Sequence, residues 1–167
     1  MSLYRISADK YHKNEKKEET AISKAKIIQA TPNVVFNALT EPKKITEWFQ
    51  EEAILDKVGC KISLVTRKEI HPDWNLDKDY YMNGTIMEFV PNKRLSYSWK
   101  FDNSPAFPET VVTWDLEQIN SDKTRVKLDH VGFTGKEKGN FSLKSHNQGW
   151  AEALDNLAKY CEPVANS

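Results

Sequence analysis

Three consecutive segments of this chain alternate apolar and polar residues with period two, and a longer segment after them carries an apolar stripe with helical period. In Arg94–Phe101, Leu95, Tyr97, Trp99 and Phe101 alternate with Arg94, Ser96, Ser98 and Lys100. Thr110–Gln118 sets Val112, Trp114 and Leu116 against Thr113, Asp115 and Glu117. Thr124–Phe133 sets Val126, Leu128 and His130 against Arg125, Lys127 and Asp129. Side chains of a strand point to opposite faces in turn, so this pattern predicts an antiparallel sheet with one covered face and one wet face. The cover is the C-terminal stripe. Trp150, Ala153, Leu154, Leu157, Ala158 and Cys161 recur at i, i+3, i+4, i+7, i+8 and i+11, one side of a long helix. Glu152, Asp155, Asn156 and Lys159 face away, and Pro163 is expected to close the helix. Its start falls between Asn140 and Gly149. A curved sheet wrapped around that helix hides both apolar surfaces at once.

The remaining elements fit this frame. Ile22–Ala30 suits a first strand. Thr31-Pro32 is a helix start, with Thr as N-cap and Pro where a missing N–H costs nothing. Val35, Phe36 and Leu39 share one face of that short helix. Glu41-Pro42 starts a second, with Ile45, Trp48 and Phe49 in helical spacing. A short strand over Ala53–Asp56, a clearer one over Cys60–Arg67 and another over Met82–Val90 follow, and Pro91-Asn92 turns tightly into Arg94. The predicted order is strand, two short helices, about six further strands and one long helix, an α+β fold with six or seven strands. Residues 1–21 form a polar arm, since Lys10–Thr20 is nearly all charged or polar and cannot bury enough apolar surface to order itself. The domain then covers 22–162, with a tail at 163–167.

The length of 167 residues suits one domain that buries roughly 70% of its unfolded surface. Lys plus Arg equals Asp plus Glu at 24 each, so no net field favours an anionic partner, and nucleic acid is not expected as one. No apolar run has the length of a signal peptide or a membrane span. Cys60 and Cys161 stand far apart and in no CxxC spacing, which reads as two reduced thiols in a cytoplasmic protein.

Four pieces of sequence, in order, carry a family resemblance: ATPNVVFNALTEPKKITEWF, NGTIMEFVPNKRLSYSWKF, TVVTWDLEQINSDKTRVKLDHVGF and GWAEALDNLAKYCE. Together they cover much of residues 22–162, which resemble the helix-grip superfamily of lipid-transfer (START-type) domains. Within it the chain is most similar to homologues of the heat-shock-protein-90 ATPase activator. The resemblance implies a curved antiparallel sheet gripping a long C-terminal helix. It also raises a chaperone as a partner. One departure stands at Val58–Cys60, where the family often carries a glycine pair and this chain reads Val-Gly-Cys. Fold and family leave activity open, because this architecture hosts binders, transporters and enzymes alike.

The candidate site residues come from the predicted inward faces. His130 stands where a hydrocarbon is expected. Its plainer reading is an imidazole satisfied by a neighbouring group, and its functional reading is a polar anchor in a cavity. Glu88 lies in a strand with two partly apolar faces. It points inward if it shares the face of Ile86 and Val90, and it would then need a partner such as Arg94, Tyr97 or His130; a simple exposed glutamate is the equal alternative. Trp48, Tyr97, Trp99, Trp114 and Trp150 converge from different elements. Each alone is ordinary core, but their N–H and O–H groups need partners, and an aromatic concavity with few polar groups is the usual form of a small-ligand site. Tyr97, Trp99, Trp114, His130 and Trp150 are expected around one pocket, with Trp48 near its mouth.

Other motifs lead nowhere. The loop HPDWNLDKD, with His71, Asp73 and Asp77, lacks the spacing of a zinc or calcium site, and GFTGKEKGN is not a phosphate loop. No catalytic motif is present, and neither metal nor cofactor is expected. The leading expectation is a non-enzymatic module that binds a small apolar or aromatic molecule. A protein-interaction role like that of the chaperone activator comes second, since a chain of this length has no room for the extra N-terminal domain that such activators use. An enzyme with His130 and Glu88 as acid and base requires the two to meet in one pocket.

Overall fold

The computed structural model describes residues 20–49, 52–56, 61–70, 72–74 and 76–165. Seven strands form one antiparallel sheet: β1 (Ala21–Ile28), β2 (Glu52–Asp56), β3 (Lys61–Thr66), β4 (Tyr80–Val90), β5 (Arg94–Phe101), β6 (Thr110–Asn120) and β7 (Lys123–Val131). Their order across the sheet is β1-β7-β6-β5-β4-β3-β2. Apart from the β1–β7 contact, each neighbour in the sheet is also a neighbour in sequence, so a meander of short connections builds most of the sheet. Helices α1 (Pro32–Thr40) and α2 (Pro42–Phe49) carry the chain from β1 at one edge to β2 at the other, and α3 (Leu143–Ala165) follows β7. This is the helix-grip arrangement expected.

Local chemistry sets the helix ends. Thr31 caps α1, its Oγ1 accepting from the Val34 amide at 3.4 Å, with Pro32 in the first turn. The Glu41 amide donates to the Asn37 carbonyl and its own carbonyl accepts from Lys44 and Ile45, so one residue ends α1 and starts α2. Ser142 caps α3 through its Oγ to the Ser145 amide at 3.1 Å. The helix runs through Pro163 to Ala165 instead of stopping at the proline. In the last turn a missing N–H removes one intrahelical bond only, and that is tolerated where the interior of a helix would not tolerate it. The strand predicted to Ala30 ends at Ile28.

The inward faces of the sheet are those the alternation indicates. Leu95, Tyr97, Trp99 and Phe101 of β5, Val112, Trp114 and Leu116 of β6, and Val126, Leu128 and His130 of β7 are all buried, as is the α3 stripe from Trp150 to Cys161. The outer face is less uniformly wet than its sequence implies. Ser96 and Ser98 are buried there. Ser96 Oγ lies 3.3 Å from Thr113 Oγ1, and Ser98 Oγ accepts from the Thr85 amide at 2.8 Å. That side-chain bond stands beside Gly84, where any Cβ would overlap the Ser98 carbonyl oxygen. The β4–β5 register then slips between Ile86 and Glu88, leaving Met87 as the extra residue of a β-bulge. Cys161 is a buried free thiol, its pKa pushed up to about 12 by burial, and carries no reactive character. Cys60, His71 and the Val58–Cys60 departure lie outside the described residues. Among the described residues no helix is long and apolar enough to cross a membrane.

Candidate functional site

His130 sits at the centre of a hydrogen-bond chain that joins the sheet to α3. The Trp150 indole N–H donates to His130 Nδ1 at 2.9 Å. An indole can only donate, so Nδ1 must accept and the ring proton sits on Nε2. Nε2 lies 2.7 Å from Thr110 Oγ1 and donates to it, while that hydroxyl donates to the Trp99 carbonyl at 2.9 Å. Every member is satisfied, and the order fixes one tautomer. His130 is 0% exposed, and burial, with His146 nearby, lowers its pKa to about 2. It is a neutral, structural imidazole at the top of β7.

The aromatic side chains around it interlock. Trp114 Nε1 donates to Tyr97 Oη at 3.0 Å. Ring centroids of Trp150 stand 5.2 Å from Trp99 and 5.7 Å from Trp114. Trp48 Nε1 donates to the Ala38 carbonyl at 2.7 Å, which ties α2 to α1, and its ring meets Trp114 edge-on. The five residues expected around one pocket, Tyr97, Trp99, Trp114, His130 and Trp150, thus touch one another through these bonds and ring contacts. Tyr97, Trp114 and His130 are buried among them. Trp48 is a packing residue and does not stand at a mouth.

Glu88 takes the exposed one of its two possible directions. It points outward, half-exposed, and accepts from Arg94 Nε at 3.0 Å, while Arg94 Nη1 donates to Asp115 at 2.7 Å. The bulge at Met87 is the cause. Ile86 pairs with Tyr97 and Glu88 with Ser96, so two steps along β4 match one along β5 and the faces exchange. Phe89 takes the inward position instead, its ring 5.2 Å from Phe36. His130 and Glu88 lie on opposite faces of the sheet, so no acid–base pair is assembled from them.

A cleft opens one layer away, where the N-terminal half of α3 crosses the ends of β4 and β5. It has a volume of about 670 Å³ and is walled by Tyr80, Trp99, Phe101, Phe141, His146 and Trp150. Phe49 stands at its α2 side, and Pro72, Asp73 and Leu76 of the β3–β4 connection close another. Of the predicted site residues only Trp99 and Trp150 reach it. The Trp99 Nε1–H is the one buried side-chain polar atom among the described residues left without a hydrogen-bond partner. His146 donates Nδ1–H to the Ser142 carbonyl at 3.1 Å and stacks on Phe107 with centroids 5.5 Å apart. Burial lowers its pKa to about 4, so it too is neutral near pH 7. Its Nε2 is then an acceptor.

His146 and Phe141 are not marked by sequence pattern, and Phe101 is marked there as an inward-facing residue but not as a site residue. The signal for His146 existed: Leu143, His146 and Trp150 stand at helical spacing and extend the stripe of α3 one turn and more toward its start. Only the unresolved start of the helix concealed it. Phe141 precedes α3 in a short 3-10 turn (Gly139–Phe141), and no periodicity extends there. Among the described residues no three His, Cys, Asp or Glu side chains could hold a metal together.

Comparison with known proteins places this architecture. The family model described as activator of Hsp90 ATPase homolog 1-like protein matches residues 29–162. Among solved structures, an HSP90 activator from Plasmodium falciparum aligns with TM-score 0.64 and 23% identity, over 83% of this chain and 94% of that one. The Aha1 dimer from Colwellia psychrerythraea aligns with TM-score 0.64 and 18% identity, over 86% and 97%. A protein from Mesorhizobium loti aligns with TM-score 0.67 and 22% identity, over 84% and 95%. Likeness at these identities shows the fold. No curated protein sequence matches the chain.

Proposed function

The chain belongs to the family of activator of Hsp90 ATPase homolog 1-like proteins, and within it we propose that this protein is a binding module for a small apolar or aromatic molecule held between α3 and the sheet. The observation that carries the reading is the cleft itself. Its volume of about 670 Å³ falls within the range of small-ligand pockets, and aromatic rings form much of its wall, with polar side chains such as Thr66, Asn140, Gln148 and Asn156 among them. Gly149 adds to this. It lies inside α3 and lines the cleft, and a Cβ built on it meets nothing within 4 Å. A glycine inside a helix costs about 1 kcal/mol relative to alanine, so the open space there is kept at some expense of helix stability.

A role on a chaperone is the second reading, and the family description favours it. Large exposed apolar side chains are spread over β1, β4, β6, β7, α3 and the β3–β4 connection, with Met87 at 58% the most exposed. Native mass spectrometry of the purified protein tests the first reading. It should reveal a small molecule that leaves on denaturation, and titration with 2-naphthol should quench tryptophan emission and raise the melting temperature by mass action. Gly149→Leu should abolish both effects while folding at least as stably as the parent. Absence of any adduct or probe response in the parent protein would remove the ligand reading and leave the chaperone reading first.

A further inference from the structure

The inference here deepens the reading of the cleft as a ligand site and depends on it. The described residues that line the cleft include two charged side chains, Asp73 and Glu152, and both are acidic and exposed at its rim. No lysine or arginine is among them. This stands out in a chain whose 24 basic residues equal its 24 acidic ones. An anionic ligand would meet two like charges and would find no guanidinium or ammonium to replace the water it gives up. A neutral or cationic ligand meets aromatic rings, whose faces attract positive charge, and a rim of matching sign.

The polar groups of the wall narrow the class further. Trp99 is 7% exposed, and its indole N–H lacks a partner within the protein. A buried donor without an acceptor keeps its desolvation cost, and a small turn of the indole toward the cleft would let an acceptor atom on a ligand offset it. Beside it, 6.1 Å between ring centroids, His146 holds its Nδ1 proton on Ser142 and keeps Nε2 as a lone-pair acceptor. We propose that the cleft selects a planar aromatic molecule, uncharged or cationic, that it binds such a molecule more tightly when it carries a hydrogen-bond acceptor for Trp99, and that it turns away carboxylates, phosphates and other anions.

Calorimetric titration at low ionic strength with four bicyclic probes tests this: quinolin-2-one, N-methylquinolinium, naphthalene-2-carboxylate and naphthalene. Quinolin-2-one and N-methylquinolinium should each bind at least about tenfold more tightly than the carboxylate, as two like charges at short range and the lack of a counter-charge imply. Trp99→Phe keeps the ring and removes the donor. It should weaken quinolin-2-one roughly fivefold to tenfold and leave naphthalene unchanged. Replacing both exposed rim acids, Asp73→Lys with Glu152→Lys, should reverse the preference between cation and carboxylate. Equal or tighter binding of the carboxylate by the parent protein overturns the charge selection. An unaltered affinity for quinolin-2-one in Trp99→Phe overturns the role of the indole donor. If none of the four probes binds and no small molecule co-purifies, the cleft is not a ligand site, and this inference falls with that reading.

Discussion

His130 has the side chain most often used for proton transfer near neutral pH, yet its surroundings withdraw it from that use. The imidazole is fully buried, accepts from Trp150 and donates to Thr110, and its pKa lies near 2. In the unfolded chain it titrates near 6.5, so below that pH the unfolded state binds a proton that the folded state refuses. Stability is complete above the unfolded pKa and declines as the pH falls toward the folded one. Each such group contributes a slope of up to about 1.4 kcal/mol per pH unit. His146, lowered to about 4, adds a second group through the upper part of that window. Urea unfolding at pH 7.5, 6 and 5 should show a steep loss of stability. His130→Leu should lower stability at pH 7.5 by about 1–3 kcal/mol, because Trp150 Nε1 loses its acceptor. The same variant should flatten the pH slope by about one proton. An unchanged slope in that variant would show that His130 titrates normally and is not the sealed group described above.

At the scale of elements, β4 decides which of its side chains reach the interior. Gly84 allows β4 to press against the Ser98 carbonyl, and Met87 then bulges out and exchanges the faces beyond it. Glu88 consequently pairs with Arg94 outside, a half-exposed contact of little energetic weight. Alternation is a reliable guide only while the ladder stays in register, and β5, β6 and β7 satisfy that condition over the inward stretch that matters. The same geometry makes Gly84 hard to replace. Gly84→Ala should destabilise by roughly 1–3 kcal/mol in chemical denaturation, since its methyl group meets backbone and no flexible side chain can give way. A cost within about 0.5 kcal/mol would mean that the two strands separate easily there and that the close approach is incidental.

For the molecule as a whole, the sheet and α3 form one core. Lys26 with Asp155 at 3.0 Å, and the Gln29 amide with Glu162 at 3.0 Å, tie β1 and the residue after it to α3 at the surface, while the tryptophan and histidine network ties β5, β6 and β7 to α3 inside. Dialysis against a chelator should therefore leave the melting temperature unchanged, because a bound metal would add its binding free energy to stability. A clear fall in melting temperature would point to the loop from His71 to Asp77.

Sequence alone determined the elements, their order and the inward faces of β5, β6, β7 and α3, because each rests on a period that backbone geometry imposes on side-chain direction. It also marked Trp99 and Trp150 as cleft residues, since both lie on those faces. Only the tertiary structure decided where the space lies. Whether Tyr97, Trp114 and His130 leave a void depends on how their rings and hydrogen bonds interlock across three elements, and a period carries no information about that. The bulge at Met87 is likewise a property of two paired strands, so Glu88 could not be assigned a face from β4 by itself. The cleft owes its position to the crossing of α3 over β4 and β5, where Phe141 and His146 meet Trp99 and Phe101 from segments more than 35 residues apart in the chain. Such a meeting is set by packing, and no local pattern records it.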